Sequence, residues 1–120
     1  MDSPLEIRFL EKVPAELLAQ ACVLAGQEMH YHLDDESNSY EKNCEYYHVR
    51  LSKLYGSPPI LYTKILALEK TDRFTIWIGG SRELTSTALE TLSRYQLAIG
   101  RHLSSLCKNQ EKFDMENYGN

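Results

Sequence analysis

The stretch that decides the fold is Ser57-Pro58-Pro59-Ile60-Leu61-Tyr62-Thr63-Lys64-Ile65-Leu66-Ala67-Leu68-Glu69-Lys70. Ser57 can cap a helix with its hydroxyl group, and Pro58 can take the first helical position, where its missing N–H costs nothing. Apolar side chains then recur at helical spacing, at Leu61, Ile65 and Leu68. The opposite side carries small or cationic residues, namely Thr63, Lys64, Ala67 and Lys70. A short helix that is buried on one side and cationic on the other is suited to the major groove of DNA.

The same stretch also alternates with a period of two, so it has a second interpretation. Ile60–Leu68 could be a strand that pairs with Phe74–Ile78 across a turn at Lys70–Arg73, because short apolar runs do not separate helix from strand by periodicity alone. The Ser-Pro start, the Leu-Ala-Leu-Glu-Lys end and a better turn downstream favour the helix. The alternative is an α+β fold in which a 60–68/74–78 β-hairpin packs against helices.

Length and composition predict one soluble domain. The chain has 120 residues, of which 42% are hydrophobic and 25% charged, values that are ordinary for a globular domain. We expect a single domain over 1–107 and a flexible polar tail over 108–120. No apolar run reaches the length of a membrane span, and no secretory leader is visible, so we expect a cytoplasmic protein that does not bind membranes. The three widely spaced cysteines are expected to be reduced thiols: Cys22, Cys44 and Cys107.

The charge is distributed unevenly along the chain. Residues 1–48 carry ten acidic and three basic side chains, whereas residues 49–101 carry four acidic and eight basic ones. The net charge of −4 therefore combines an acidic first part with a basic middle part. Such asymmetry favours a surface that binds a polyanion.

The segments before the deciding stretch predict a strand and two helices. Residues 5–10 alternate like a short strand, although a helical turn that leads into the next element fits nearly as well. Pro14 opens a helix with a regular apolar stripe. A second helix is indicated by residues that step by four and three, namely Tyr40, Cys44, Tyr47, Leu51 and Leu54, with Gly56 placed to end it. The second helix and the helix after it would form a helix-turn-helix.

The segments after it predict a β-wing and a dimerisation helix. Phe74–Ile78 is strand-like, Gly79-Gly80 can turn, and Ser81–Leu84 can return as a second strand. A long helix is predicted over 85–107. Its apolar stripe exceeds what a small domain needs, so we expect it to dimerise through Leu92, Ile99, Leu103 and Leu106. The predicted fold class is mainly α with a small β-wing, a winged helix-turn-helix with a long C-terminal dimerisation helix.

Three motifs resemble those of PadR-like transcriptional regulators. Ser57-Pro58-x-x-Leu61-Tyr62-x-x-Ile65-x-x-Leu68-Glu69-Lys70 is similar to the reading-helix motif of that family. Met29-His30-Tyr31-His32-Leu33 resembles its Met-His-Gly-Tyr-x-Leu stretch, and Leu84-Thr85 resembles the Leu-Thr that follows its wing. The resemblance implies a homodimer that binds double-stranded operator DNA, with the reading helix in the major groove and the wing on the backbone or minor groove.

The candidate DNA contacts follow from the cationic side of the reading helix. Cations on this side can neutralise phosphates and release counterions, and the leading candidates are Lys64 and Lys70. Flanking phosphate contacts are expected from Arg50, Lys53, Arg73 and Arg82. Thr63 could touch a base edge or a thymine methyl group.

Other chemistry is less well supported by the sequence. His30 and His32 are two residues apart and would point in different directions on a helix, so we predict no metal site and no cofactor. Cys44 has no Ser/His/Asp arrangement beside it, and we predict no enzymatic activity. Aromatic residues could line a pocket for a small-molecule effector: Tyr40, Tyr46, Tyr47, Tyr55, Tyr62 and Trp77. The predicted function is a dimeric DNA-binding transcriptional regulator, and the alternative is a non-enzymatic α+β protein-interaction module.

Overall fold

Two helices pack on one face of an antiparallel sheet in the computed structural model of the chain. The structure describes residues 5–33, 41–42, 45–53, 60–79 and 86–118, and only the backbone of Leu33, Glu41 and 110–118. The elements in chain order are β1 (Leu5–Pro14), α1 (Ala15–Glu28), β2 (His32–Leu33), β3 (Glu41–Lys42), β4 (Tyr46–Ser52), β5 (Leu61–Leu66), β6 (Lys70–Ile78) and α2 (Ser86–Tyr118). The four long strands, β1, β4, β5 and β6, form the body of the sheet. The two-residue strands β2 and β3 each pair with β4.

The strand β5 lies in the middle of the sheet, whose order is β1-β6-β5-β4-β2. It pairs with β4 on one side and with β6 on the other, both antiparallel. Thr63, for example, lies opposite Val49 on β4 and Ile76 on β6. The backbone groups of β5 thus find their partners in two neighbouring strands, which a buried segment requires.

Alternation along the strands decides which side chains reach the core. Residues that lie opposite each other on paired antiparallel strands point to the same face of the sheet. On the face toward the helices, the side chains are mostly buried and apolar: Tyr47, Val49, Leu51, Leu61, Ile65, Phe74 and Ile76. The helices supply the other half of the core with Leu18, Cys22, Leu92, Tyr95, Ile99 and Leu103.

A small polar cluster lies inside this core. The Thr63 and Tyr95 hydroxyl groups are 3.0 Å apart and hydrogen-bonded, and the Cys22 thiol is hydrogen-bonded to Tyr95 as well. Burial raises the pKa of Cys22 to about 12 in spite of this hydrogen bond, and burial also raises the pKa of Tyr95 well above its usual value. All three groups are therefore neutral at physiological pH, and each has a partner, as buried polar groups need.

A charged contact joins the end of α1 to the middle of α2. The Arg101 guanidinium group donates two hydrogen bonds to the Glu28 carboxylate, at 3.0 and 2.7 Å. These bonds hold the pKa of Glu28 below its ordinary value of 4.5. Just after Glu28, His30 has a positive φ of 64°, which ends α1 and turns the chain toward β2. Because the ion pair is exposed, we expect it to contribute little to the stability of the fold.

The predicted winged helix-turn-helix is wrong. The stretch predicted as a reading helix contains β5, and the predicted second helix over 40–54 contains β4. In both segments apolar residues recur four positions apart, a spacing that fits a helix and a strand equally well. Because β5 can pair with a strand on each side, these segments fold as strands. The predicted wing strand 74–78 belongs to β6, which pairs with β5 and β1; residues 81–84 lie outside the described residues. The alternative hairpin of 60–68 with 74–78 agrees with the pairing found.

The remaining predicted elements agree only in part with the structure. The predicted strand at 5–10 lies within β1, and the helix predicted after Pro14 is α1. The last helix begins at Ser86, and its backbone continues through the predicted tail to Tyr118. Three of the residues expected at a dimer interface are buried in the core of the chain itself: Leu92, Ile99 and Leu103. Neither helix, within the part of the chain that is described, has the length and apolar character needed to cross a membrane.

The position of Thr63 gives a direct test of this fold. Tyr95→Phe should lower the free energy of unfolding by about 1–3 kcal/mol, because it leaves the buried Thr63 hydroxyl and Cys22 thiol without their shared partner. Thr63→Val should also destabilise, and the double variant should lose less than the sum of the two single losses. Urea unfolding measures these values.

Thr75→Val is the matched control, because Thr75 lies on the opposite face of the sheet and is half-buried. We expect it to change the free energy of unfolding by less than about 0.5 kcal/mol. Additive effects of Thr63→Val and Tyr95→Phe would contradict the packing of β5 against α2.

Candidate functional site

The candidate site is the face of the sheet that points away from both helices. The register places six large polar or aromatic side chains together on it: Tyr46, His48 and Arg50 on β4, Tyr62 and Lys64 on β5, and Trp77 on β6. We term this surface the open face. Its residues alternate with the core residues of the same strands, so the pairing that builds the core also assembles the open face.

Four rings form a continuous row across three strands. The Trp77 and Tyr62 rings have centroids 5.2 Å apart, and the Tyr62 and His48 rings are 5.7 Å apart and stacked at 10°. The row ends at Tyr46, whose ring is 6.2 Å from that of His48. Such distances are typical of favourable ring pairs, which are worth about 0.5–1.5 kcal/mol each beyond their buried area. The row is thus a fixed feature of the surface.

A hydrogen bond fixes the centre of this row. The Tyr62 hydroxyl and His48 Nδ1 are hydrogen-bonded to each other. His48 is only 8% exposed although it lies on the open face, because the neighbouring rings cover it. The bond and the stacking together restrict Tyr62 to one orientation.

Two cations lie over the rings. The Arg50 guanidinium carbon is 5.3 Å from the centroid of Tyr62, and the Lys64 ammonium nitrogen is 3.9 Å from the centroid of Tyr46. Both distances are within the range of cation–π attraction. The open face therefore presents positive charge and aromatic surface at the same place.

An exposed leucine extends the apolar part of this surface. Leu66 lies opposite Tyr46 in the pairing of β4 with β5 and is 40% exposed. On the neighbouring strand, Thr75 lies opposite Lys64 and is half-buried. The open face thus has an aromatic and apolar centre, with two cations over its rings and the hydroxyl groups of Tyr46, Tyr62 and Thr75 beside them. The described residues contain no cluster of three or more His, Cys, Asp or Glu that could hold a metal ion.

The predicted DNA-contacting residues are dispersed over the structure. Arg50 and Lys64 lie on the open face, whereas Thr63 points to the core and cannot reach a base edge. Lys53 and Lys70 are exposed near the ends of β4 and β6. Arg73 is paired with Asp72 at 3.0 Å and with Glu6 at 4.0 Å. Arg82 lies outside the described residues. Because residues 61–66 form the strand β5, the helix expected to carry these cations into the major groove is not formed.

The residues that sequence reasoning missed are the members of the ring row. Tyr46, Tyr62 and Trp77, which the sequence places in an effector pocket, lie half-buried on the open face of the sheet. Tyr47 is in the core, and Tyr40 and Tyr55 lie outside the described residues. The signal for the open face is the alternation Tyr46-x-His48-x-Arg50, Tyr62-x-Lys64 and Thr75-x-Trp77. This alternation can be recognised only when the three segments are interpreted as strands.

Comparison with known proteins gives no match: no family model, no curated protein and no solved structure aligns significantly with this chain. The fold that the PadR-like resemblance implied is the winged helix excluded above, so the site is interpreted from its own geometry.

The ring row predicts a specific fluorescence response, because Trp77 is the only tryptophan in the chain. Tyr62→Ser removes the ring that packs on Trp77. We expect a red-shifted tryptophan emission and stronger quenching by acrylamide, since more of the indole ring then contacts water. Tyr46→Ser, the same substitution at the far end of the row, should leave both unchanged. Equal responses to the two substitutions would contradict the order of the rings.

Proposed function

We propose that the chain is a non-enzymatic protein-interaction module that binds another protein through the open face. The observation that carries this proposal is the row of Trp77, Tyr62, His48 and Tyr46, with Arg50 and Lys64 lying over its rings. Three rings of the row, those of Tyr46, Tyr62 and Trp77, are half-buried and therefore partly accessible to a partner, whereas His48 between them is buried.

The residue types of the open face support a protein partner. Tryptophan, tyrosine and arginine are the residues that most often dominate the binding energy of protein interfaces. Here the rings are held by stacking and by the bond between His48 and Tyr62. A partner that binds them has little side-chain entropy to remove, which favours affinity.

The charges indicate the kind of surface that the partner presents. Arg50 and Lys64 bring positive charge to the open face of a chain whose net charge is −4. A complementary surface would place carboxylates opposite these two cations and apolar or aromatic side chains over Trp77 and the exposed Leu66. Such complementarity raises the rate of association and excludes partners with the opposite charge pattern.

Single-stranded nucleic acid is the second candidate, because sheets with exposed aromatic residues and cations can stack bases. Two features make it the weaker one. The Tyr62 ring already stacks on His48 and lies under Arg50, so a base would have to displace existing contacts. The acidic chain as a whole also repels a polyanion.

Site-specific photo-crosslinking tests the protein proposal. A photoreactive residue at Thr75, on the open face, should crosslink a partner in cells, whereas one at the exposed Leu89 on α2 should not. The partner would be identified by mass spectrometry and purified, and its affinity for the chain measured by calorimetry. Tyr62→Ala should weaken this binding by ~30-fold or more, as the loss of a dominant interface residue does.

Arg94→Ala supplies the matched control for Arg50→Ala, because Arg94 is an exposed arginine on α2 that pairs with Glu90. We expect Arg50→Ala to weaken binding and Arg94→Ala to leave it unchanged. Unchanged affinity in the Tyr62→Ala variant would refute the proposal. Binding of a single-stranded oligonucleotide that Tyr62→Ala abolishes would replace it with the second candidate.

A further inference from the structure

The strand β1 forms one edge of the sheet. It pairs with β6 on one side, and among the described residues no strand pairs with its other side. An edge strand presents unpaired backbone N–H and C=O groups, which can accept a further strand. Residues 5–8 are in regular register with β6 and offer a straight segment for such pairing.

The sequence of this segment is complementary to itself in one antiparallel register. When two copies of Leu5-Glu6-Ile7-Arg8-Phe9 pair around Ile7, Ile7 lies opposite Ile7 of the second copy. Glu6 then lies opposite Arg8, and Leu5 opposite Phe9. Apolar residues thus meet apolar residues, and each carboxylate meets a guanidinium group, on both sides of the two-fold axis. Opposite charges at directly opposed positions stabilise antiparallel pairs, and like charges destabilise them.

We propose that the chain forms a homodimer in which two β1 strands pair edge to edge in this register. The occupant of the edge is a second copy because the charge pattern matches itself around a two-fold axis, as a symmetric interface requires. The proposal does not depend on the function assigned to the open face.

The charged residues of β1 are already arranged for this contact. Arg8 Nε is 2.7 Å from Glu6 Oε1 in the same chain, and Arg73 Nη1 is 4.0 Å from the same oxygen. All three side chains are substantially exposed. In the dimer, the two Glu6–Arg8 pairs would join in one cluster across the strands. A charged edge also discourages pairing with other strands, which favours the one partner whose charges match.

A cleft beside β1 is the second feature that a second copy would cover. It lies between β1 and α2, has a volume of about 590 Å³, and is lined chiefly by apolar or small residues, including Ile7, Phe9, Phe74, Leu97, Ile99 and Gly100. Leu97 is 69% exposed at this cleft. Because opposed residues point to the same face, the helices of both copies lie on the same side of the joined sheet. The two clefts therefore face the seam, where each copy covers the exposed apolar surface of the other.

The joined sheet has a consequence for the open face. Since both helix layers lie on one side, the two open faces lie side by side on the other, in one continuous sheet. The dimer would thus present two copies of the ring row to the same side, which increases the apparent affinity for any partner with two matching sites.

Charge reversal tests the register. In the Glu6→Arg variant, positions 6 and 8 are both positive, and in the Arg8→Glu variant both are negative. Each variant alone would place like charges opposite each other twice, so its dimer dissociation constant should rise ~10-fold or more. An equimolar mixture of the two variants should form heterodimers. Sedimentation equilibrium of the wild-type chain, of each variant and of the mixture, up to ~100 µM, covers the range of weak interfaces.

Glu90→Arg on α2 is the matched control, because it makes the same charge change at an exposed site outside the cleft. It should dimerise as the wild-type chain does. Thermal unfolding followed by circular dichroism verifies that each variant is folded. A monomeric wild-type chain over this range would overturn the proposal. So would undiminished dimerisation of the charge variants, or a mixture that stays monomeric while both variants are folded.

Discussion

The backbone groups of an interior strand must be satisfied by its two neighbours, and β5 is the central strand of this sheet. Pairing with β4 and β6 fixes its register on both sides, and a shift by one residue would exchange its two faces. In this register the Thr63 side chain points into the core, where it contacts Tyr95. The Tyr62 and Lys64 side chains point to the open face. Fold and candidate site therefore depend on the same set of hydrogen bonds.

Two helices cover only one side of this sheet, and the other side keeps large side chains at its surface. Antiparallel sheets commonly leave one face in contact with water, and polar residues usually occupy it. Here Tyr62 and Trp77 take such positions, partly covered by Arg50 and by stacking within the row. The arrangement gives the chain a partly covered aromatic surface, which is the basis of the proposed protein-interaction function.

The sequence predicted the fold correctly in segments whose apolar residues fit either the helical or the strand period, but not both. The beginning of α1 after Pro14 and the core of α2 were predictable, because their apolar spacing fits the helical period alone. The strand at the start of β1 was favoured only narrowly over a helical turn, because a run of six residues hardly separates the two periods. The strands β4 and β5 were not predictable, because Tyr47 and Leu51, or Leu61 and Ile65, are four residues apart and fit both periods. Arg50 and Lys64 were identified as binding residues from charge alone. The ring row was not, because its members come from three strands and meet only through pairing.

The account rests on the extended conformation of residues 61–66, and nuclear magnetic resonance of the labelled chain measures it directly. We expect Cα and Cβ chemical shifts typical of a strand over Leu61–Leu66, with interstrand contacts from Lys64 to His48 on β4 and to Thr75 on β6. Helical chemical shifts over this segment, with contacts between residues three and four apart, would contradict the sheet and the open face together.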